Sequence, residues 1–160
     1  MFDSRSFLSK TPLAFLVFLM ACTCGAPVTA QQHGFGLGFL FGEPAGVNGK
    51  LWRGHDTALV GGLAWSFVDD GAADLYGDFV WHRFGLLDVD RGRLPLYVGV
   101  GARLQLDGGS RFGIRIPVGM NYLFETAPID AFVEFVPLFD LAPETDWEFN
   151  AAVGFRYFFR

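Results

Sequence analysis

The chain has 160 residues and a formal net charge of −5; it is 51% hydrophobic and 17% aromatic, with 21 glycines and 19 phenylalanines. The length suits one domain, and the acidic balance argues against nucleic acid as a partner. Beyond residue 30 no apolar run approaches the roughly 20 residues of a membrane helix, so this hydrophobicity must be interleaved with polar and small residues.

Residues 1–30 read as a signal peptide. Arg5 and Lys10 supply its positive start, Leu13 to Ala21 its apolar centre, and Val28-Thr29-Ala30 the small residues before a mature start at Gln31. The apolar run is too short for a membrane anchor. Leu19-Met20-Ala21-Cys22 resembles a lipobox, but Met20 fits that pattern poorly, and cleavage after Ala30 is the reading adopted over lipidation at Cys22. Both cysteines, Cys22 and Cys24, fall in this leader, which leaves residues 31–160 without a disulfide framework or a thiolate metal site. Losing Arg5, Lys10 and Asp3 takes the 12 positive residues to 10 and the 17 acidic ones to 16, a net charge of −6.

The remaining chain alternates with period two. Phe35, Leu37, Phe39 and Phe41 share one face, and Gly36, Gly38, Leu40 and Gly42 the other. Glu43 to Gly46 is a turn. Val47 to Arg53 puts Asn48, Lys50 and Trp52 on the inner parity. Thr57 to Phe67 sends Leu59, Leu63, Trp65 and Phe67 outward, and Asp69-Asp70-Gly71 turns the chain. Asp74 to Arg83 carries Leu75, Phe79 and Trp81 outward, against Asp74, Tyr76, Asp78 and His82. A longer connection runs from Phe84 to Leu94. Pro95 to Leu106 sets Val98, Val100 and Leu104 against Tyr97, Arg103 and Gln105, and Asp107 to Ser110 turns. Arg111 to Phe124 opposes Ile114, Ile116, Val118 and Met120 to Arg115, Gly119 and Asn121. Pro117, which donates no ladder bond, predicts an irregularity there. Ile129 to Leu138 points Asp130, Phe132, Glu134 and Val136 inward, Asp140 to Asp146 reads as a polar loop, and a last strand runs from Trp147 to Arg160.

Each stretch has one apolar, aromatic-rich face and one small or charged face, which marks strands with unlike surroundings on their two sides. Eight strands of about 8 to 13 residues match the length that crosses a bilayer when tilted. The expected fold is therefore all-β: an eight-stranded antiparallel up-and-down transmembrane β-barrel over residues 31–160. Trp65, Trp81, Tyr122, Trp147 and Tyr157 gather near strand ends, where interfacial girdles belong.

The stretches GFLFGEPAGVNGKLW, GGLAWSF, LPLYVGVGARL, RFGIRIPVGMNYLF and the closing GFRYFF resemble a family of small bacterial outer-membrane β-barrel proteins first described in spirochaetes, over nearly all of residues 33–159. The resemblance implies an eight-stranded barrel of general OmpA-like size, in a family with porin-like character and no assigned biochemical role. The C-terminal segment also looks like an outer-membrane assembly signal through Gly154, Tyr157 and Phe159, which implies the barrel-assembly machinery as a partner; Arg160 adds one residue beyond the usual terminal aromatic.

The inward parity collects Lys50, Asp78, His82, Arg103, Arg115, Asp130, Glu134, Glu148 and Arg156, with Asp74 as a further carboxylate. These residues could line a charged pore or a small-ligand site, or form a salt-bridge network that plugs a narrow barrel. The network is favoured, because eight-stranded lumens are usually filled and buried charges need partners. Counting back from the Asp107–Ser110 turn places Arg103 nearly opposite Arg115, with Glu134 and Asp78 as their carboxylates. Catalysis finds little support. Counting across the Asp69–Gly71 turn places His82 opposite Leu59, far from Ser66, and His33, His55 and His82 are too scattered for a metal site. No cofactor is expected. The sequence reads as a monomeric, non-enzymatic barrel in outer-membrane lipid, either structural or a very narrow channel. Its rivals are a periplasmic lipocalin-like binding barrel, which would reverse the two faces, and a lipid-modifying enzyme.

Overall fold

The computed structural model describes residues 34–65, 72–106 and 110–159. The signal peptide with Cys22 and Cys24, His33, Ser66, the turn residues 69–71 and 107–109, and Arg160 lie outside the described residues.

Nine strand segments follow one another: β1 (Phe35–Glu43), β2 (Ala45–Trp52), β3 (Thr57–Trp65), β4 (Ala73–Arg83), β5 (Leu96–Leu106), β6 (Arg111–Arg115), β7 (Val118–Leu123), β8 (Ile129–Ala142) and β9 (Asp146–Phe159). Neighbouring segments pair antiparallel, except that β6 and β7 lie end to end and each pairs with β5 and β8, and β9 returns to β1 through nine residue pairs, from Phe35↔Phe159 to Glu43↔Ala151. The ring closes without an edge, as the alternating faces predict.

The nine segments make eight staves. β6 and β7 hold one register against β5: Gly101 faces Arg115, and four residues back on β5 Tyr97 faces Gly119, four residues further on. The interruption at Ile116 and Pro117 has the predicted cause, since proline has no N–H to give the ladder. The remaining groups there stay paired: Gly99 N donates to Pro117 O at 2.8 Å and Ile116 N to Pro137 O at 3.0 Å.

Register fixes the size of the barrel. Paired residues lead from Gly36 through Lys50, Val60, Asp78, Gly101, Arg115 and Leu138 to Glu148. Continuing the β1–β9 register by three residues brings Glu148 level with position 46, ten residues from the start. With about 3.3 Å per residue and about 4.8 Å between strands, that stagger gives a tilt of about 40° and a backbone radius of about 8 Å. Such a tube has room for side chains and little else. At its tightest point there is not even that room: a Cβ on Gly38 would run into the β9 backbone at Phe155 and Arg156.

Three boundaries differ from the sequence reading. The Glu43–Gly46 turn tightens to Pro44, because β1 runs on to Glu43 and β2 already begins at Ala45. β8 continues through Asp140 to Ala142, and the loop before β9 shrinks to three residues. Pro137 breaks the hydrophobic run and hides this continuation, yet Phe139 and Leu141 keep the outward parity and Leu138 and Asp140 the inward one. The long connection after β4 is partly ladder. Arg93 and Leu123 exchange backbone bonds of 3.1 and 2.8 Å, and Asn121 N donates to Pro95 O at 3.0 Å. β5 and β7 therefore project past the end of β4, and the connection must climb that step before it can pair.

The outer surface is a continuous apolar belt. Phe35, Leu37, Phe39, Val98, Phe135 and Val153 are among many large apolar residues near or above half exposed. Trp81 and Tyr157 lie near the terminal end, where β1 begins and β9 ends, and Trp65 and Trp147 at the opposite, distal end. Charged and small residues are inside. This is the reverse of a lipocalin-type barrel, whose apolar face is its lumen.

Candidate functional site

The inward side chains stack in three tiers, because each stave contributes every second residue to the interior. Nearest the chain termini, Lys50 on β2 and Arg156 on β9 share Asp130 on β8. Arg156 Nε donates to Asp130 Oδ1 at 2.9 Å, and Lys50 Nζ lies 3.6 Å from Asp130 Oδ2. Lys50 Nζ also donates to Asn121 Oδ1 at 3.2 Å and lies 2.9 Å from His82 Nε2, while Asn121 Nδ2 donates to Asp130 Oδ2 at 3.1 Å. Lys50 sits over the Trp52 ring, 4.2 Å from its centroid, and the His82 ring packs between Trp52 and Tyr97.

In the middle tier Arg115 is clamped. Its Nε is 2.9 Å from Asp78 Oδ1 and its Nη2 is 3.2 Å from Glu134 Oε1. Tyr97 Oη donates to Glu134 Oε2 at 2.7 Å, and the guanidinium lies 3.9 Å from the centroid of the Tyr76 ring. The cavity beside Arg115 and Glu134, closed by Leu40, Tyr76 and Val136, holds about 10 Å³, no more than about one water molecule.

The distal tier centres on Arg103. Its Nη2 donates to Asp140 Oδ2 at 2.8 Å, Nη1 and Nη2 engage both oxygens of Glu148, and Nη1 is 3.9 Å from Asp74. Arg103 is 2% exposed, whereas the Glu148 side chain is 29% exposed, so this tier opens to the outside at Glu148.

The nine inward residues singled out from the sequence thus divide among three tiers. Lys50, His82, Asp130 and Arg156 meet at the terminal end, Asp78, Arg115 and Glu134 in the middle, and Arg103 with Glu148 at the distal end. Two details differ from the sequence reading. Arg103 does not share Asp78 and Glu134 with Arg115; it takes Glu148, Asp140 and Asp74. His82 faces Asp56 rather than Leu59: its backbone N donates to Asp56 O at 2.6 Å and Nδ1 lies 3.3 Å from the same oxygen. The β3–β4 hairpin is centred earlier than the Asp-Asp-Gly signal suggests. Asp140 is not legible as an inward residue because Pro137 makes it read as loop, and Tyr97 and Asn121 carry no sequence signal of network membership because they are uncharged. Of the assembly-signal residues, Tyr157 and Phe159 lie on the outer face with their rings 5.3 Å apart, and Gly154 faces inward against Leu40.

Every cation in the three tiers faces a carboxylate: Lys50, Arg115 and Arg156, and Arg103 with Asp140, form ion pairs of 2.8 to 3.6 Å. The interior is a cross-linked plug. It ties β2, β4, β5, β6, β8 and β9 together through the middle of the tube.

The fold is that of a closed eight-stranded antiparallel barrel with a filled polar lumen. It is similar to the crystal structure of the N-terminal β-barrel domain of Pseudomonas aeruginosa OprF, with a TM-score of 0.61 and 15% sequence identity over 79% of this chain and 98% of that one. No family model matches the chain, and no curated protein matches it.

Proposed function

We propose that the chain is a monomeric, non-enzymatic outer-membrane barrel that serves as a structural wall element, its lumen held shut by the ion-pair plug. The observation that carries this reading is the inversion of faces: large apolar side chains outside and four cations with their carboxylates inside. Water would favour the opposite arrangement, and a bilayer favours this one. The barrel fold shared with the OprF domain supports the same setting, as do the aromatic residues near both rims and the family resemblance read from the sequence. The partners that follow are outer-membrane lipid and the barrel-assembly machinery, which would read Gly154, Tyr157 and Phe159. A non-enzymatic role fits the surroundings of His82, whose ring nitrogens face Lys50 and the Asp56 carbonyl rather than a serine, threonine or cysteine.

A very narrow channel is the second reading, favoured by the partly exposed Glu148 at the distal mouth. Planar-bilayer recording separates the two. Refolded barrels should be electrically silent, whereas the Arg103→Ala/Arg115→Ala double variant, lacking two of the guanidinium groups that cross the lumen, should pass ions. Discrete openings in the unmodified barrel would establish the channel reading instead.

A further inference from the structure

The outer wall holds a recess of about 930 Å³. Its floor is a transverse row of residues in register: Gly49 faces Gly61, Gly61 faces Gly77, and Gly77 faces Ala102. All four have the outward parity, at mid-height on β2 to β5, where the rest of the belt carries phenylalanine, leucine or valine. Leu51, Leu59, Leu63 and Phe79 stand along its sides. Asn48 and Asp78 also border it, but both are 3% exposed and belong to the lumen face. A Cβ on Gly77 would meet nothing within 4 Å, so no part of the protein fills that space. At Gly49 a Cβ would meet the Phe35 ring at 3.0 Å: the ring folds over and closes that end. At the other end Ala102 is followed by Ile114 on the next stave.

We propose that this recess seats the terminal half of one acyl chain of a membrane lipid. The proposal rests on the outer-membrane reading, since it places the recess within the acyl-chain layer. Three observations select an acyl chain over a second copy of this protein or a polar ligand. The walls are apolar, and the floor is backbone whose polar groups are engaged in the ladder. The slot is closed at one end by the Phe35 ring, so it takes a chain end rather than a through-going strand or helix. It also spans three strand spacings, about 14 Å; because the strands tilt by about 40°, the row climbs only about 9 Å along the membrane normal, through the middle of β2 to β5, at the height where chain ends meet.

The test is native mass spectrometry of the detergent-solubilised barrel after refolding in vesicles of dilauroyl, dimyristoyl or dipalmitoyl phosphatidylglycerol. Heat-modifiable mobility serves as the check that each sample is folded. The expected result is one lipid per barrel that survives activation stripping all others, and none on Gly61→Leu or Gly77→Leu, whose new side chains occupy the slot. Phe35→Ala removes the end stop on the lipid-facing surface and should shift the retained species toward longer chains; it carries the test if the leucine variants do not fold. Equal retention by unmodified and slot-filled barrels, or an unchanged chain-length preference in Phe35→Ala, would overturn the proposal while leaving the outer-membrane reading standing. A chain that will not enter vesicles at all would instead overturn that reading.

Discussion

Replacing Arg115 by alanine is expected to cost the folded barrel about 3–5 kcal/mol, the range found when one partner of a buried ion pair is removed. Arg115 is 6% exposed and is the only cation that the ion pairs described for Asp78 and Glu134 provide. Without it both carboxylates remain inside a tube of about 8 Å radius, facing each other's field with no water to screen them. Urea unfolding of the vesicle-inserted protein, followed by tryptophan fluorescence and by heat-modifiable mobility, measures the loss. Two comparisons give the result its meaning. Arg115→Met combined with Asp78→Asn and Glu134→Gln removes the charges together and should recover most of the stability, because the penalty belongs to the orphaned charges rather than to the lost attraction. Arg91→Ala, on the exposed connection after β4, should change stability by no more than about 0.5 kcal/mol. An Arg115→Ala cost below about 1 kcal/mol would mean that water reaches the middle tier, and the plug would not be closed.

Val133→Arg is the second large effect, expected to destabilise the barrel in a bilayer by about 2–4 kcal/mol. Val133 is 43% exposed on β8, between Met120 on β7 and Val153 on β9. It lies near the middle of its stave and away from the recess. By exposure alone it is a surface residue, and on a protein surrounded by water such a change falls within about 0.5 kcal/mol. The difference between these two magnitudes reports the solvent around the belt. The same unfolding measurement applies, with Glu144→Arg in the loop between β8 and β9 as a rim control, expected near 0–1 kcal/mol. A Val133→Arg variant as stable as the unmodified protein would place the belt in water.

Much of this architecture is legible in the sequence because a strand repeats every two residues and the two sides of this wall meet different surroundings. Once Phe35, Leu37 and Phe39 are read as outward, Gly36 and Gly38 are inward by geometry, and the same holds stave by stave. Parity therefore reaches Lys50, Asp78, Arg115, Asp130 and Arg156 without knowledge of contacts. Parity does not say which inward residues meet, since that depends on the register between staves, and register depends on where each hairpin is centred. The Asp107–Ser110 turn places Arg103 within one residue of its observed position relative to Arg115. The Asp69–Gly71 turn misplaces His82 by three residues, because the observed register centres the hairpin on position 69, the first of that turn, rather than between 70 and 71. Proline misleads most. Pro137 ends the apparent last-but-one strand early and so hides Asp140, a principal partner of Arg103. Pro95 likewise makes the continuing β5 ladder at Arg93 look like loop.

The most direct test of the central claim, a barrel built for lipid around a closed polar plug, is the solvent in which residues 31–160 fold. The purified chain should be refolded in parallel into dimyristoyl phosphatidylcholine vesicles and into detergent-free buffer, then examined by vesicle flotation after a carbonate wash and by mobility before and after heating. A folded, heat-modifiable barrel that floats with the vesicles is expected, and aggregation in buffer, because the apolar belt has no other cover. A monodisperse, folded β-protein in detergent-free buffer would contradict it.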